Sequence, residues 1–375
     1  MLGWLLRWFD RSPSPNPPDA PPEAAPQPRA PDSPGPARAP PQPAPQTPAD
    51  PVLHAPPPTE GEDPFAPFAR ALGLALPAEL APLSVEEELL LETLAGQLLE
   101  HCRQHRLGPA SAPTMSLRIL NLVASPNTEL SEMSRLISAD PALSASVLTV
   151  ANSAYYRGFA EIETVRDAVT RMGLEEVGRV AGALSAKSLF NPKLKQELQA
   201  FGPRFGALYR RAITIATASA ALAMRTRARS DRCYLGGMLH DVGRTVALRA
   251  VSDLSRAGAL AAPAEHPLVD RAIDKIHLEV GADLHQEWKL PQYLTVLAVR
   301  HHDAAIPEGA EFLDLHVVRI AQAVHDLRAG APEAARAARE LVQSAAQLGL
   351  PPAEIRVVAA ELKQAEAKAA TTFGL

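Results

Sequence analysis

From Ser84 onward the apolar residues of this chain recur every three or four positions, the spacing of α-helices that bury one face. Ser84 followed by Glu86 to Glu88 has the form of a capping box, and the stripe behind it runs Leu89, Leu90, Leu94, Leu98 until Gly108-Pro109. A short helix is expected over Leu117 to Val123, then a turn at Ser125-Pro126-Asn127 and a helix carrying Leu130, Met133, Leu136 and Ile137. Asp140-Pro141 pairs an N-cap acid with proline at the first helical position and starts a helix that runs toward Gly158. Helical patterns follow over Ile162 to Met172 with Gly173 as the stop, then over 174–189, 205–224 and 234–248. The remaining patterns cover 267–288, 292–302, 312–329, 333–348 and 352–370. No alternating run of useful length predicts a strand, so the fold class is all-α with ten or more helices.

Composition agrees with that pattern. Apolar residues make up 46% of the chain and aromatic ones only 5%, so the core is expected to rest on Ala, Leu and Val, which favour helices. The N-terminal part differs. Residues 1–9, MLGWLLRWF, are apolar with two Trp, and are read either as a short amphipathic anchor for a membrane surface or partner groove, or as a terminus packed on the domain. Between Arg11 and Asp63 lie more than half of the 37 prolines, a composition that cannot bury enough surface to order itself. The chain therefore divides into an apolar segment (1–10), a disordered Pro-rich linker (11–63), a lead-in helix region (64–94), a main domain (95–310) and C-terminal helices that complete it (311–375). Formal net charge is −5, so no global basic field recruits nucleic acid. Cys102 and Cys233 have no CxxC spacing and suit a reducing cytoplasm. The expected location is cytoplasmic, with peripheral membrane contact left open by residues 1–9.

The stretch Tyr234 to Arg244, YLGGMLHDVGR, concentrates the candidate chemistry. An apolar run delivers His240 and Asp241 side by side. Adjacent helical residues point about 100° apart, so His240 and Asp241 are expected neither both to be buried core residues nor both to lie on one solvated face. A buried His-Asp pair needs a partner, and a metal ion, a cationic side chain or a backbone hydrogen bond would each serve.

Five segments occur together and in order: ADPALSASVLTVANSAYY (139–156), VRDAVTRMGLEEV (165–177), LGGMLHDVGR (235–244), HLEVGADLHQEWKLP (277–291) and RHH (300–302). Together they resemble an HDOD domain, a bacterial signalling module related to the HD-type metal phosphohydrolases. The resemblance covers about residues 95–310. It implies an all-α fold of two helical halves and a regulatory role, many members lacking the full catalytic metal set.

In the hydrolases that this resemblance points to, a first metal is held by an upstream His, the His-Asp pair and a distal Asp. Arg211 stands in the upstream position, and Gln322 fits the distal one best, with Asp326 one helical turn away. Guanidinium is therefore expected to replace the cation beside Asp241. The second metal of binuclear relatives would use Asp241, His277, His301 and His302, all present. That leaves a single Fe, Mn or Zn ion open, although no cofactor is expected. The HHDAAIPEGAEF segment lacks the GYP-type sequence of cyclic-dinucleotide hydrolases.

Asn152, Ser153 and Tyr155 are candidates for a partner surface, but Asn and Ser at a helix end also hold loops through side chain to backbone bonds. Trp288 before Leu290-Pro291 reads as a core anchor, and Arg225, Arg227, Arg229 and Arg232 as a basic connector. The function expected is a non-catalytic signal-transduction module that contacts other signalling proteins, with a degenerate hydrolase site. The competing readings are a metal-dependent phosphohydrolase and a nucleotide-binding sensor derived from one. The sequence says nothing of oligomeric state.

Overall fold

The computed structural model describes residues 63–105, 114–125, 128–153, 155–156, 162–190 and 195–373. The expectations for residues 1–62, for Gly108-Pro109 and for Pro126-Asn127 lie outside them. The described residues form fifteen α-helices and no strand: α1 (Ala66–Leu72), α2 (Val85–Gln104), α3 (Thr114–Ala124), α4 (Leu130–Ser138), α5 (Pro141–Ala151), α6 (Val165–Met172), α7 (Leu174–Phe190), α8 (Lys195–Ala223), α9 (Ser230–Leu239), α10 (Val242–Arg256), α11 (Pro267–Glu287), α12 (Gln292–Arg300), α13 (Leu313–Ala329), α14 (Ala334–Leu348) and α15 (Pro352–Phe373). None of these helices is long and apolar enough to cross a membrane.

Two cores organise them. The smaller joins one face each of α3, α4, α5, α6 and α7 through Ile119, Ile137, Val147, Val169 and Val177. The larger gathers α1, α2 and α8 to α15 around residues such as Leu94, Ile215, Leu239 and Ile320. Helix α7 belongs to both, sending Val177 and Val180 into the small core and Ala183, Ala186 and Phe190 into the large one. The capping box at Ser84 is complete: Ser84 Oγ accepts from Glu87 N at 3.2 Å, and Glu87 Oε2 accepts from Ser84 N at 2.8 Å.

Several boundaries differ from the sequence pattern: the helix expected to run toward Gly158, itself outside the described residues, ends at Ala151, and three other differences have a physical reason. The expected helix over 205–224 begins at Lys195, with Pro203 inside it. Phe201 and Phe205, one turn apart and both buried, fasten the segments on either side of the proline to the same core. The helix expected to start at Ile162 starts at Val165 behind the N-cap Thr164. Ile162 is instead strapped to Asn152, whose amide accepts from Ile162 N and donates to Ile162 O, both at 2.8 Å. Finally, the pattern over 234–248 is two helices. The first ends at Leu239 and the second starts at Val242, so His240 and Asp241 occupy the break, and, against the expectation from helical spacing, both are buried.

That break is possible because glycines let the helices touch. A Cβ at Gly237 would lie 2.7 Å from Ala216 Cα on α8. One at Gly243 would collide with the His277 carbonyl oxygen and come within 2.8 Å of Gly281 N on α11. Backbone contact of this kind seats the His-Asp corner against both neighbouring helices.

Candidate functional site

Asp241 sits at the corner with φ −104° and ψ 13°, just ahead of the N-terminus of α10. The amide dipoles there favour a carboxylate. Its side chain faces His240, His277 from α11 and His301 from the end of α12. His240 Nε2 stands 3.5 Å from Asp241 Oδ2, while His277 Nε2 and His301 Nε2 stand 3.3 and 3.4 Å from Oδ1. The two latter nitrogens are 3.4 Å apart.

The opposite edge of each ring fixes its tautomer. Nδ1 of His240 lies 3.0 Å from Gly237 O, that of His277 2.5 Å from Asp274 O, and that of His301 3.1 Å from both Leu297 O and Ala298 O. A carbonyl only accepts, so each Nδ1 carries the proton and each Nε2 turns a lone pair inward. Burial holds all three rings below the ordinary imidazole pKa, His240 down to about 3 despite Asp241 beside it. Three nitrogen lone pairs thus face the Asp241 carboxylate with no proton between them, those of His277 and His301 toward Oδ1 and that of His240 toward Oδ2. His240 Nε2 and Asp241 Oδ1 have no hydrogen-bond partner among the described residues.

Of this donor set, Asp241 Oδ1, His277 Nε2 and His301 Nε2 fit one divalent cation, with His240 Nε2 beside them on Oδ2. Ligand atoms at 2.0–2.1 Å from a tetrahedral ion are about 3.4 Å apart, the separation these atoms already have. A histidine whose other nitrogen is fixed by a carbonyl is the usual form of a metal ligand. His302 joins from the side: its ring packs 4.1 Å from that of His301, and it groups with His277 and His301 as a further ligand set. Its Nδ1 is held by Glu340 Oε1 at 2.7 Å, and its Nε2 lies 3.5 Å from Gln322 Nε2.

Arg211 occupies the other side of Asp241. Its Nη1 donates to Asp241 Oδ2, and Nη2 donates to Asp326 Oδ2 at 2.9 Å and Oδ1 at 3.1 Å. Asp326, rather than Gln322, is therefore the acid of α13 that faces the upstream position, while Gln322 turns to His302. Residues 322 and 326 are one turn apart, so the sequence offered both and only packing chose between them. Arg244 approaches Asp241 Oδ2 with Nε at 3.1 Å and donates through Nη2 to Asp274, which also receives Arg336 Nη1 at 2.8 Å. The result is a ladder of alternating charge, Asp326, Arg211, Asp241, Arg244, Asp274 and Arg336, that ties α13, α8, the corner, α10, α11 and α14 together.

Burial would push the carboxyl of Asp241 up, but Arg244 and then Arg211 hold it well below the usual range. Burial works against Arg211 too, yet Asp326 and Asp241 keep it charged. Glu340 is the exception: burial outweighs Arg319 and Arg336 and raises it to about 7.

Sequence reasoning passed over Arg244, Asp274, Arg336 and Glu340. The first two had a signal, since Arg244 ends the LHDVGR segment and Asp274 lies one turn before His277. Arg336 and Glu340 sit in an ordinary Ala-rich helix that carries none. Asn152, Ser153 and Tyr155 lie beside the small core, apart from the histidines. Asn152 is spent on the Ile162 strap, Ser153 is half-buried, and Tyr155 is 63% exposed with its ring edge on Tyr156.

Residues 110–304 match the HDOD domain family, and the chain belongs to it. It resembles an uncharacterized protein of Treponema pallidum (strain Nichols), with 26% identity over 204 residues that are 53% of this chain. The matched region spans only 38% of the length of that relative. Among solved structures it resembles an HDOD domain protein of unknown function from Geobacter sulfurreducens, with a TM-score of 0.54 and 21% identity over 76% of this chain and 100% of that one. A protein of Shewanella amazonensis SB2B, provisionally named a metal-dependent phosphohydrolase, has a TM-score of 0.50 and 20% identity over 76% and 100% of the two chains. A provisionally named signal transduction protein of Marinobacter aquaeolei VT8 has 0.52 and 17% over 76% and 65%. At these identities the likeness establishes the fold.

Proposed function

We propose that this chain is a regulatory signalling module that works through contacts with other signalling proteins and does not turn over a phosphoester. The observation that carries this reading is Arg211: its guanidinium bridges Asp241 and Asp326, a permanent positive charge where a first catalytic cation would need to sit. Two-metal hydrolysis needs ions on both the attacking and the leaving side of phosphorus, and one of those places is filled by a side chain. The charge ladder gives the module a rigid centre, since each acid and base in it is held from two sides.

A second reading rests on its own observation, the unpartnered His240 Nε2 and Asp241 Oδ1. Asp241, His240, His277 and His301, with His302 alongside, would hold a single divalent ion, which when bound supplies Lewis acidity. In that case the module senses or stores an ion at a site whose neighbour is closed. The residues of this chain then orient the ion: the carbonyls of Gly237, Asp274 and Leu297 fix the rings, and Arg244 keeps Asp241 ionised.

The test is turnover of bis(p-nitrophenyl) phosphate by the full chain with excess Mn2+. The regulatory reading predicts release at the rate of the buffer blank. Turnover above the blank that disappears in Asp241→Ala would make the chain an enzyme.

A further inference from the structure

Arg319 lies on α13 one turn from Gln322 and two from Asp326, on the helix face that meets the histidine side of the fold. Its side chain is 1% exposed, and Nε and Nη1 have no hydrogen-bond partner among the described residues. No ion pair holds its guanidinium among those residues either. A buried cation in that state is unusual, because desolvation is offset only by a counter-charge in contact. Burial correspondingly pulls its pKa down, with Glu340 and Asp303 opposing from a distance.

The side chain lines a cavity of about 630 Å³, within the range of small-molecule sites and separate from the one bordered by Arg211 and Arg244. The other charged walls are already engaged. Glu340 holds His302 at 2.7 Å, Asp303 holds Arg300 Nε at 2.7 Å, and Asp63 accepts from Phe65 N at 2.8 Å. Glu79 pairs with Arg339, and Arg336 is taken by Asp274. Arg319 is the positive charge left over, and Phe65, Pro77, Ala338 and Val342 give the cavity an apolar side.

We propose that this cavity binds a small molecule carrying one oxyanion, phosphate or carboxylate, on an apolar or ring body, with the oxyanion paired to Arg319. A guanidinium suits both oxyanions, because a hydrogen bond from a charged donor to an oxyanion is about twice as strong as a neutral one. Arg211 cannot serve the same purpose, since its nitrogens are committed to two carboxylates. The ligand site stands whether or not the neighbouring centre hydrolyses anything, and binding alone is read in its test.

The probes are phenyl phosphate and benzoate, with phenol as the neutral control, titrated calorimetrically into the full chain at constant ionic strength. Saturable millimolar or tighter binding of at least one anion, and none of phenol, is expected. Phenyl phosphate alone would assign a phosphate ligand, and benzoate alone a carboxylate. Arg319→Met should weaken binding at least tenfold, Arg319→Lys by less, and Arg210→Gln, on the wall of the other cavity, not at all. Ala304→Trp, at the exposed rim, should weaken it without touching the core, which keeps the test alive if Arg319→Met fails to fold. The proposal is overturned if neither anion binds saturably, or if binding is unchanged in both Arg319→Lys and Ala304→Trp.

Discussion

Replacing Arg211 by Met removes the cation from the middle of the charge ladder while keeping most of its packing volume. Asp241 and Asp326 then face one another across the space, with side chains only 10% and 17% exposed. A pair of unit charges at about 4 Å and an effective dielectric of about 20 interacts by about 4 kcal/mol, and two such pairs are lost. Part of this returns because Arg211 no longer has to be desolvated. Each acid also keeps a second partner, Asp241 with Arg244 Nε at 3.1 Å and Asp326 with His325 Nδ1 at 3.1 Å. The net cost should therefore fall at the low end of that for breaking a buried pair, about 3 kcal/mol. The assay is urea unfolding followed by far-ultraviolet circular dichroism in the presence of chelator. With a slope of about 3 kcal/mol per molar urea, the midpoint should drop by about 1 M. Adding Asp326→Asn to Arg211→Met removes one of the stranded charges and should restore at least about 1 kcal/mol. If Arg211→Met unfolds within about 0.5 kcal/mol of the parent, the ladder contributes nothing and the reasoning fails.

Three further expectations follow from the same geometry. Gly243→Ala puts a methyl group against the His277 carbonyl and Gly281 N, where only backbone can yield, so α10 and α11 must part at a cost of about 3 kcal/mol; an unshifted melting temperature would show that the helices are not in backbone contact. Acidification should destabilise the chelated protein: burial lowers His240 and His302 to about 3 and His285 to about 4, so below pH 6.5 the unfolded chain takes up protons that the folded one refuses, each group costing up to about 1.4 kcal/mol per pH unit. Glu340, raised to about 7, acts in the opposite sense between pH 7 and 4.5, so Glu340→Gln should steepen the loss. Equal urea midpoints at pH 7.5 and 5 would refute the acid destabilisation, and a Glu340→Gln loss no steeper than the parent's would refute the role of Glu340.

The helical pattern carried most of the fold, because burial on one face leaves a three-and-four spacing that any window of the chain displays. Where it failed, a tertiary contact overrode a local signal. Two buried phenylalanines carry α8 through Pro203, and close contact at Gly237 and Gly243 divides a continuous apolar run at His240-Asp241. The site was legible in part. His240, Asp241, His277 and His301 meet in one place, since the segments that carry the family resemblance also carry the geometry, and Arg211 joins them from α8. Asp326 could not be separated from Gln322 by spacing, as both lie on the same helical stripe. Arg336 and Glu340 left no trace at all, because a charge in an Ala-rich helix looks solvated until the neighbouring helix is known to cover it, and Arg319, set between Val318 and Ile320, gave no sign of the wall it would line.

Elemental analysis of the full chain, purified without chelator and then equilibrated with excess Mn2+ or Fe2+, tests most directly whether a guanidinium has taken the place of a cation. With Arg211 paired between Asp241 and Asp326, no more than one tightly held ion per chain is expected, and it is lost in His301→Ala. Two ions per chain in the unaltered protein would contradict this.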